Sequence, residues 1–329
     1  MIETPVIDVV IAWVDGDDPA HAKKRSLYNT DKSESKHEDV GGSSRFRSLG
    51  EIRYCIESIN IFAPFVRKIF IITDGQDPDL EDTMKERFPE GHIPMQIVDH
   101  KVIFKGYESY LPTFNSRSIE TMLWRTPGLS EHFILMNDDF VLTCPVTPEH
   151  FFKGDTTICY AKWYRTFWAR FLRAMRPMKK GHKRISFKDS MLNAADILNI
   201  KGRFMYLGHT PRALRRSFYE DFFRNREDIM TRNICHRFRH KEQYNSQELF
   251  YLSEHQAGRC QVICTDDVLS YLIPKRNSRY IERKLRQFDR KPDNVFCCIN
   301  SLSLASEADQ QKVLEWVKNR MDQKRRKSL

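Results

Sequence analysis

Short apolar runs of strand length recur through the first half of the chain, and each ends in polar or acidic side chains. Residues 6–14 run into Asp15-Gly16-Asp17-Asp18-Pro19, and residues 133–136 run into Asn137-Asp138-Asp139. Between them, residues 68–73, tipped by Asp74-Gly75, and residues 95–98 read as two further strands. Ile52, Cys55, Ile56 and Ile59 fall at i, i+3, i+4 and i+7. That spacing predicts a helix over residues 51–62, stopped by Pro64. Residues 116–125 form a second helical stretch, with Asn115 or Ser116 as its cap. Alternating strands and helices predict an α/β chain with a largely parallel, doubly wound sheet. Ligands of such sheets sit beyond the carboxyl ends of the strands. Carboxylates placed there can hold Mg²⁺ or Mn²⁺ against a phosphate.

At 329 residues the chain is long enough for a full core and near the size at which single cores split. Residues 1–155 are expected to form the core, and residues 156–329 a helical elaboration that completes the site within one compact unit. Hydrophobic content of 40% beside 30% charged residues excludes a disordered chain. No apolar run approaches the roughly 20 residues of a membrane-spanning helix. Met1-Ile2-Glu3-Thr4-Pro5 has no basic start and no apolar signal core, which reads as a cytoplasmic protein. The eight scattered cysteines then read as reduced thiols. Cys260 and Cys264, with His255 and His236, fit no common zinc spacing. The formal charge of +10 favours an anionic partner without choosing among nucleic acid, lipid and polyanion.

Residues 22–44 are polar and end in Gly41-Gly42-Ser43-Ser44, the pattern of a loop and a candidate lid. Beyond residue 155 the pattern changes. Residues 162–184 are rich in Lys and Arg and contain no acid, and Trp163, Phe167, Phe171 and Met175 recur every four residues. This reads as a basic amphipathic helix, ended by Pro177 and Gly181. It fits either a membrane-surface element or an ordinary helix packed on the core with its arginines in water. Residues 186–198, 211–230, 247–255 and 305–320 read as helices, with Pro211 in a first turn and a basic tail after the last.

Asp15 and Asp17 by themselves are ordinary turn chemistry. Asn137-Asp138-Asp139 is a stronger signal, because polar groups after so apolar a strand are costly unless solvated, paired or metal-bound. Arg45 and Arg53 are candidates for a bidentate phosphate grip. Asn115 and Ser116 close a hydroxyl- and amide-rich turn before a helix, where free N–H groups attract anions. His209 is a candidate general base, although a single His is more often a cap or core residue.

Together these segments resemble the Stealth family of sugar-phosphate transferases, which includes bacterial capsular polysaccharide phosphotransferases and the lysosomal-enzyme GlcNAc-1-phosphotransferase. The likeness runs through residues 7–19, then Arg45-Phe46-Arg47, residues 51–54, 63–69 and 73–76. It continues through residues 111–116, Ile119-Glu120, residues 127–130 and Asn137-Asp138-Asp139, and further on through residues 187–190 and Gly208-His209-Thr210-Pro211. A looser stretch starts at Arg239-His240. Asn115-Ser116 stands where the family often has two serines, and residues 162–184 have no counterpart.

The resemblance implies a GT-A-like fold and transfer of a hexose-1-phosphate from a nucleoside-diphosphate sugar, UDP-linked, to a hydroxyl of a glycan or lipid-linked glycan. It further implies Asp139, with Asp138 or Asp15, and Asp17 on a divalent cation. Arg45, Arg53, Asn115, Ser116 and Arg239 would contact phosphate, and His209 would be the base in preference to Asp138. A GT-A glycosyltransferase that moves the sugar alone is the nearest alternative. A nucleic-acid-binding protein is another, but no reading motif or stacking platform is present. An anionic membrane at the inner face of the plasma membrane is the further expected partner.

Overall fold

The computed structural model describes residues 5–28, 50–175, 186–274 and 277–328. Side chains along β1 (Ile7–Ala12) alternate between two apolar clusters: Ile7, Val9 and Ile11 enter one, Val10 the other. A strand apolar on both faces needs cover on both. The chain continues through α1 (Pro19–Tyr28), α2 (Glu51–Phe62), β2 (Val66–Thr73), α3 (Glu81–Arg87), β3 (Met95–Asp99), α4 (His100–Ile103), α5 (Ser116–Met122) and β4 (His132–Asn137). Ile52, Cys55, Ile56 and Ile59 of α2 cover one face, and Ile119 and Met122 of α5 share the cluster on the other.

The four strands are parallel in the order β3-β2-β1-β4. The chain therefore adds β2 and β3 on one side of β1, then crosses back to place β4 on its other side. That reversal opens a crevice between the carboxyl ends of β1 and β4. The register pairs Ala12 with Asn137, so the two acid-tipped segments leave the sheet side by side. At the opposite end, buried Asp8 is held by the Arg67 fork, with Nε 2.8 Å and Nη2 2.5 Å from its oxygens.

After β4 the chain forms β5 (Phe140–Leu142), β6 (Phe152–Lys153), β7 (Thr156–Arg165), α6 (Thr166–Ala174), α7 (Phe187–Ile197), β8 (Arg203–Leu207) and β9 (Arg212–Arg215). It continues with α8 (Arg216–Arg224), α9 (Glu227–Ile234), α10 (Ser246–Gln256), β10 (Cys260–Ile263), β11 (Leu269–Leu272), α11 (Ser278–Asp289), β12 (Phe296–Ile299) and α12 (Glu307–Ser328). The second half thus carries strands as well as helices. β9 joins the main sheet as an antiparallel edge beside β4, and β12 pairs antiparallel with β5. Val313 and Val317 of α12 enter the same cluster as α2.

Three expectations need correction. Residues 22–28 belong to α1 rather than a loop, while the rest of the candidate lid lies outside the described residues. Residues 211–230 are not one helix: Arg212–Arg215 is a strand, followed by α8 and α9. Pro211 lacks an N–H and is equally suited to a position just before an edge strand. Residues 162–165 are the end of β7, where Trp163 pairs with Met205 of β8 and meets the His255 ring at 4.9 Å. Pairing with β8 overrode the four-residue aromatic spacing, which includes Trp163 by coincidence. Helix begins only at Thr166, and Pro177 and Gly181 lie outside the described residues.

Candidate active site

The crevice between β1 and β4 holds a cavity of about 470 Å³. Asn137, Asp138 and Asp139 form one wall, and Glu51, the first residue of α2, joins them. Desolvation pushes the Asp138 carboxyl up to about 8, with the charges of Asp139 and Glu51 adding to it. Asp139 is pushed up to about 6 by desolvation first and by Glu51, against a hydrogen bond from Cys298. Its Oδ2 lies 3.5 Å from Cys298 Sγ and 3.4 Å from Asn300 Nδ2. Pairing of β12 with β5 brings Cys298 and Asn300 there, together with the cavity residues Ser301 and Ser303.

His209 stands on another side of the cavity, in the turn between β8 and β9. Its ring is stacked on Tyr271 at 4.6 Å, and Phe187 lies 6.0 Å away. Burial, with Arg212 adding to it, pushes the imidazole down to about 4, so it is neutral across the physiological range. Arg212 fixes the turn: Nη1 donates to Thr210 O at 2.6 Å and to its Oγ1 at 2.7 Å, and Nη2 donates to Gly208 O. Gly208 packs against Thr265 so closely that a methyl group there would collide with it.

Elsewhere in the lining, α5 and the segment after α9 supply arginines. Arg117 and Arg239 line the cavity, with Glu120 and Arg212 beside them. Arg239 Nη2 donates to Ser116 Oγ at 3.0 Å. The segment carrying Arg239 is held by Asn115, whose Nδ2 donates to His236 O, Phe238 O and Gln243 Oε1 at 2.8–3.0 Å. A third region, lined by Trp13, His21, His100 and Thr113, contains buried polar atoms without a hydrogen-bond partner: Trp13 Nε1, Thr113 Oγ1 and both ring nitrogens of His100.

The structure brings Asp138, Asp139, Ser116, His209 and Arg239 together around one cavity. Other expected site residues lie elsewhere. Arg53 points along α2 to Glu57, its Nε 2.7 Å from Oε1, and does not line the cavity. Asn115 is buried as the cap of α5 and acts on the site only through the segment it anchors. Asp15 and Asp17 are in a turn beyond the cavity wall, where the Asp17 N–H donates to Asp15 Oδ1 at 2.9 Å. Arg45 lies outside the described residues. Sequence reasoning did not single out Glu51, Arg117, Glu120, Arg212 or Asn300. Glu51 and Glu120 fell within the segments that carry the family likeness without a role being given to them, and nothing local marked Asn300.

Asp138, Asp139 and Glu51 are hard oxygen donors that repel one another in a partly desolvated crevice. They fit a divalent cation such as Mg²⁺ or Mn²⁺. Among the described residues, His236, His240 and Glu242 also place potential ligand atoms within 4.8 Å of one another. Their two imidazoles stack at 4.1 Å in nearly parallel planes, and the Glu242 N–H donates to His240 Nδ1 at 3.4 Å. That group does not line the cavity. Cys260 and Cys264 do not join His236 or His255 in any such group among the described residues.

Residues 5–33 match Stealth protein CR1, conserved region 1, and residues 45–160 match Stealth protein CR2, conserved region 2. The exopolysaccharide phosphotransferase SCO6023 of Streptomyces coelicolor is 32% identical over 310 residues, which is 93% of this chain and 49% of that protein. The capsular polysaccharide phosphotransferase WcwK of Streptococcus pneumoniae is 38% identical over 149 residues, 45% of this chain and 42% of that protein. The chain thus spans about half the length of these relatives or less. Among solved structures, galactosyltransferase LgtC with donor and acceptor sugar analogues gives a TM-score of 0.43 at 10% identity, covering 95% of each chain. That likeness is too low to bear on function. The two conserved regions occur in order, with Asp138 and Asp139 of the second on the cavity wall, and the chain belongs to the Stealth protein family.

Proposed function

We propose that this chain transfers a hexose-1-phosphate from a nucleoside-diphosphate sugar to a glycan hydroxyl, forming a phosphodiester in a surface polysaccharide. The observation that carries the reading is one cavity lined by the carboxylates Glu51, Asp138 and Asp139 and by Arg117, Arg212 and Arg239. Phosphoryl transfer needs little covalent help from a protein. It needs charge neutralised and the reacting oxygens held in line. A divalent cation bound by Asp139 and Asp138, with Glu51 beside them, would draw off the charge of the diphosphate. Arg239, set by Ser116, would bind phosphate oxygens. The partnerless donors and acceptors of Trp13, His100 and Thr113 offer hydrogen bonds to a nucleobase. The acceptor oxygen attacks the phosphorus that bears the sugar, His209 takes its proton, and the nucleoside monophosphate leaves.

With a UDP-hexose or UDP-N-acetylhexosamine donor and a glycan acceptor, the expected nucleotide product is UMP. Release of UDP would show cleavage of the sugar C1–oxygen bond and a glycosyltransferase instead. Tight RNA binding without turnover of any nucleotide sugar would remove both enzyme readings.

A peripheral membrane position at the inner face of the plasma membrane fits α6. Phe167, Trp168, Phe171, Leu172 and Met175 on and just after this helix are each at least 46% exposed. Its arginines instead face the protein, Arg170 and Arg173 reaching Asp196 at 2.6 and 3.1 Å. An ordinary surface helix has the reverse arrangement. Exposed Arg165, Lys201 and Arg203 lie near the apolar face in the chain and the β7–β8 pair, a combination suited to anionic lipid. Among the described residues no helix is long and apolar enough to cross a membrane. The double variant Trp168→Glu/Phe171→Glu is expected to lose binding to phosphatidylglycerol vesicles by about tenfold or more, with turnover of a soluble acceptor unchanged. Equal co-sedimentation of the variant and the original protein would refute this position.

A further inference from the structure

Arg117 is the second residue of α5, is 5% exposed, and lines the cavity. Among the described residues its guanidinium makes no hydrogen bond and no ion pair. Two carboxylates, Glu120 and Asp189, act on it through space without a hydrogen bond to it, and Glu120 accepts from Gln247 Nε2 at 3.1 Å. The charge of Arg239 acts on it more strongly than either carboxylate does, and repels it. An arginine does not escape burial by losing its proton at neutral pH. A buried cation without a hydrogen-bonded counter-charge is costly, and the cost is removed when an anion arrives. The five N–H donors of its fork therefore lie at the cavity with no acceptor within hydrogen-bond reach among the described residues.

We infer that Arg117 grips a phosphate group in this cavity, its fork taking two oxygens of an anion that Arg239 shares. Phosphate suits the pair better than carboxylate. Two adjacent guanidinium groups need more acceptor oxygens than a carboxylate offers, and more charge to offset their mutual repulsion. The group could come from the diphosphate of the donor or from a phosphodiester already present in the acceptor. Only that choice of source rests on the transfer reading given above.

Inorganic pyrophosphate titrated calorimetrically into the full chain in EDTA tests the site without donor, acceptor or divalent cation. The unmodified protein is expected to bind it, and Arg117→Met to bind about tenfold more weakly or worse. Arg117→Lys should lose less, because it keeps the charge without the fork. Met retains most of the stem, so the Tm of Arg117→Met without ligand should hold or rise. No binding by the unmodified protein overturns the proposal, as does equal affinity in Arg117→Met. A lower Tm with unchanged affinity makes Arg117 structural only and also overturns it.

In transfer assays, a raised KM for the nucleotide sugar in Arg117→Met assigns the anion to the donor. A raised KM for a phosphodiester-bearing acceptor alone assigns it to the acceptor. If the unmodified protein transfers nothing, the phosphotransferase reading fails while the pyrophosphate result still decides the role of Arg117.

Discussion

Asp139→Asn is expected to abolish transfer and, in the absence of divalent cation, to make the protein more stable. Asparagine keeps the shape of the side chain and can still accept from Asn300 Nδ2, which lies 3.4 Å from Asp139 Oδ2. It removes one of three carboxylate charges in the crevice. Desolvation and that crowding hold Asp138 up to about 8 and Asp139 up to about 6. Both groups therefore keep their protons to higher pH in the fold than in the unfolded chain. Between the ordinary carboxylate range and about pH 8 the folded state binds more protons. The stability these groups contribute is complete at low pH and is lost as pH rises through their folded values.

In EDTA the unmodified protein should lose stability between about pH 4 and pH 8 from this source, and Asp139→Asn should lose less. At pH 8 the variant should be more stable by on the order of 1–3 kcal/mol. Mg²⁺ should raise the urea midpoint of the unmodified protein at pH 8 and leave that of the variant nearly unchanged. Transfer should fall by about a thousandfold or more, since neutralisation of the diphosphate is lost. Urea midpoints at pH 5 and pH 8, with EDTA and with Mg²⁺, together with UMP release, measure all of this. Near-normal UMP release, or a variant less stable at both pH values, would take Asp139 out of the proposed role.

The same two acid-tipped segments explain how much of the site could be read from sequence. Each strand near them announces itself locally, by an apolar run and a polar stop, and α2 by its 3.6-residue period. Ala12 and Asn137 become neighbours through parallel register, which α/β alternation already implies. Long-range pairing is what sequence left hidden. Cys298 and Asn300 reach Asp139 because β12 lies against β5, and residues 212–215 are a strand because β4 offers them an edge. Local propensity has no knowledge of either edge. Arg53 was misplaced for a related reason: its residue type suits phosphate, but its position on α2 directs it to Glu57. Arg117, one residue from the Asn115-Ser116 pair that drew notice, was missed because burial of an arginine is visible only in three dimensions.

His209→Ala is expected to lower the transfer rate by about 10²–10⁴-fold, the usual range for removal of a general base. Because the ring is stacked on Tyr271, alanine also leaves a gap beside the Phe187 and Tyr271 side chains. His209→Phe separates the two effects: it keeps an aromatic ring in the stack and removes both nitrogens. Both variants should lose transfer, and His209→Phe should keep its Tm. The pH profile carries the sharper test. Burial and Arg212 hold the free imidazole down to about 4. A base works only when unprotonated, so the His209 limb is lost activity as pH falls, and in kcat/KM it should lie near that value.

A bound diphosphate brings negative charge into the same cavity and offsets the field of Arg212, which raises the imidazole. The limb seen in kcat, which reports the substrate complex, should therefore sit at higher pH than the limb in kcat/KM. Saturating Mg²⁺ keeps Asp138 and Asp139 ionised and out of this range. In His209→Phe the limb should vanish from whatever activity remains. Were that variant to keep the same acid limb, the proton acceptor would be another cavity group. Asp138, the remaining carboxylate beside Asp139, would then be the residue to replace.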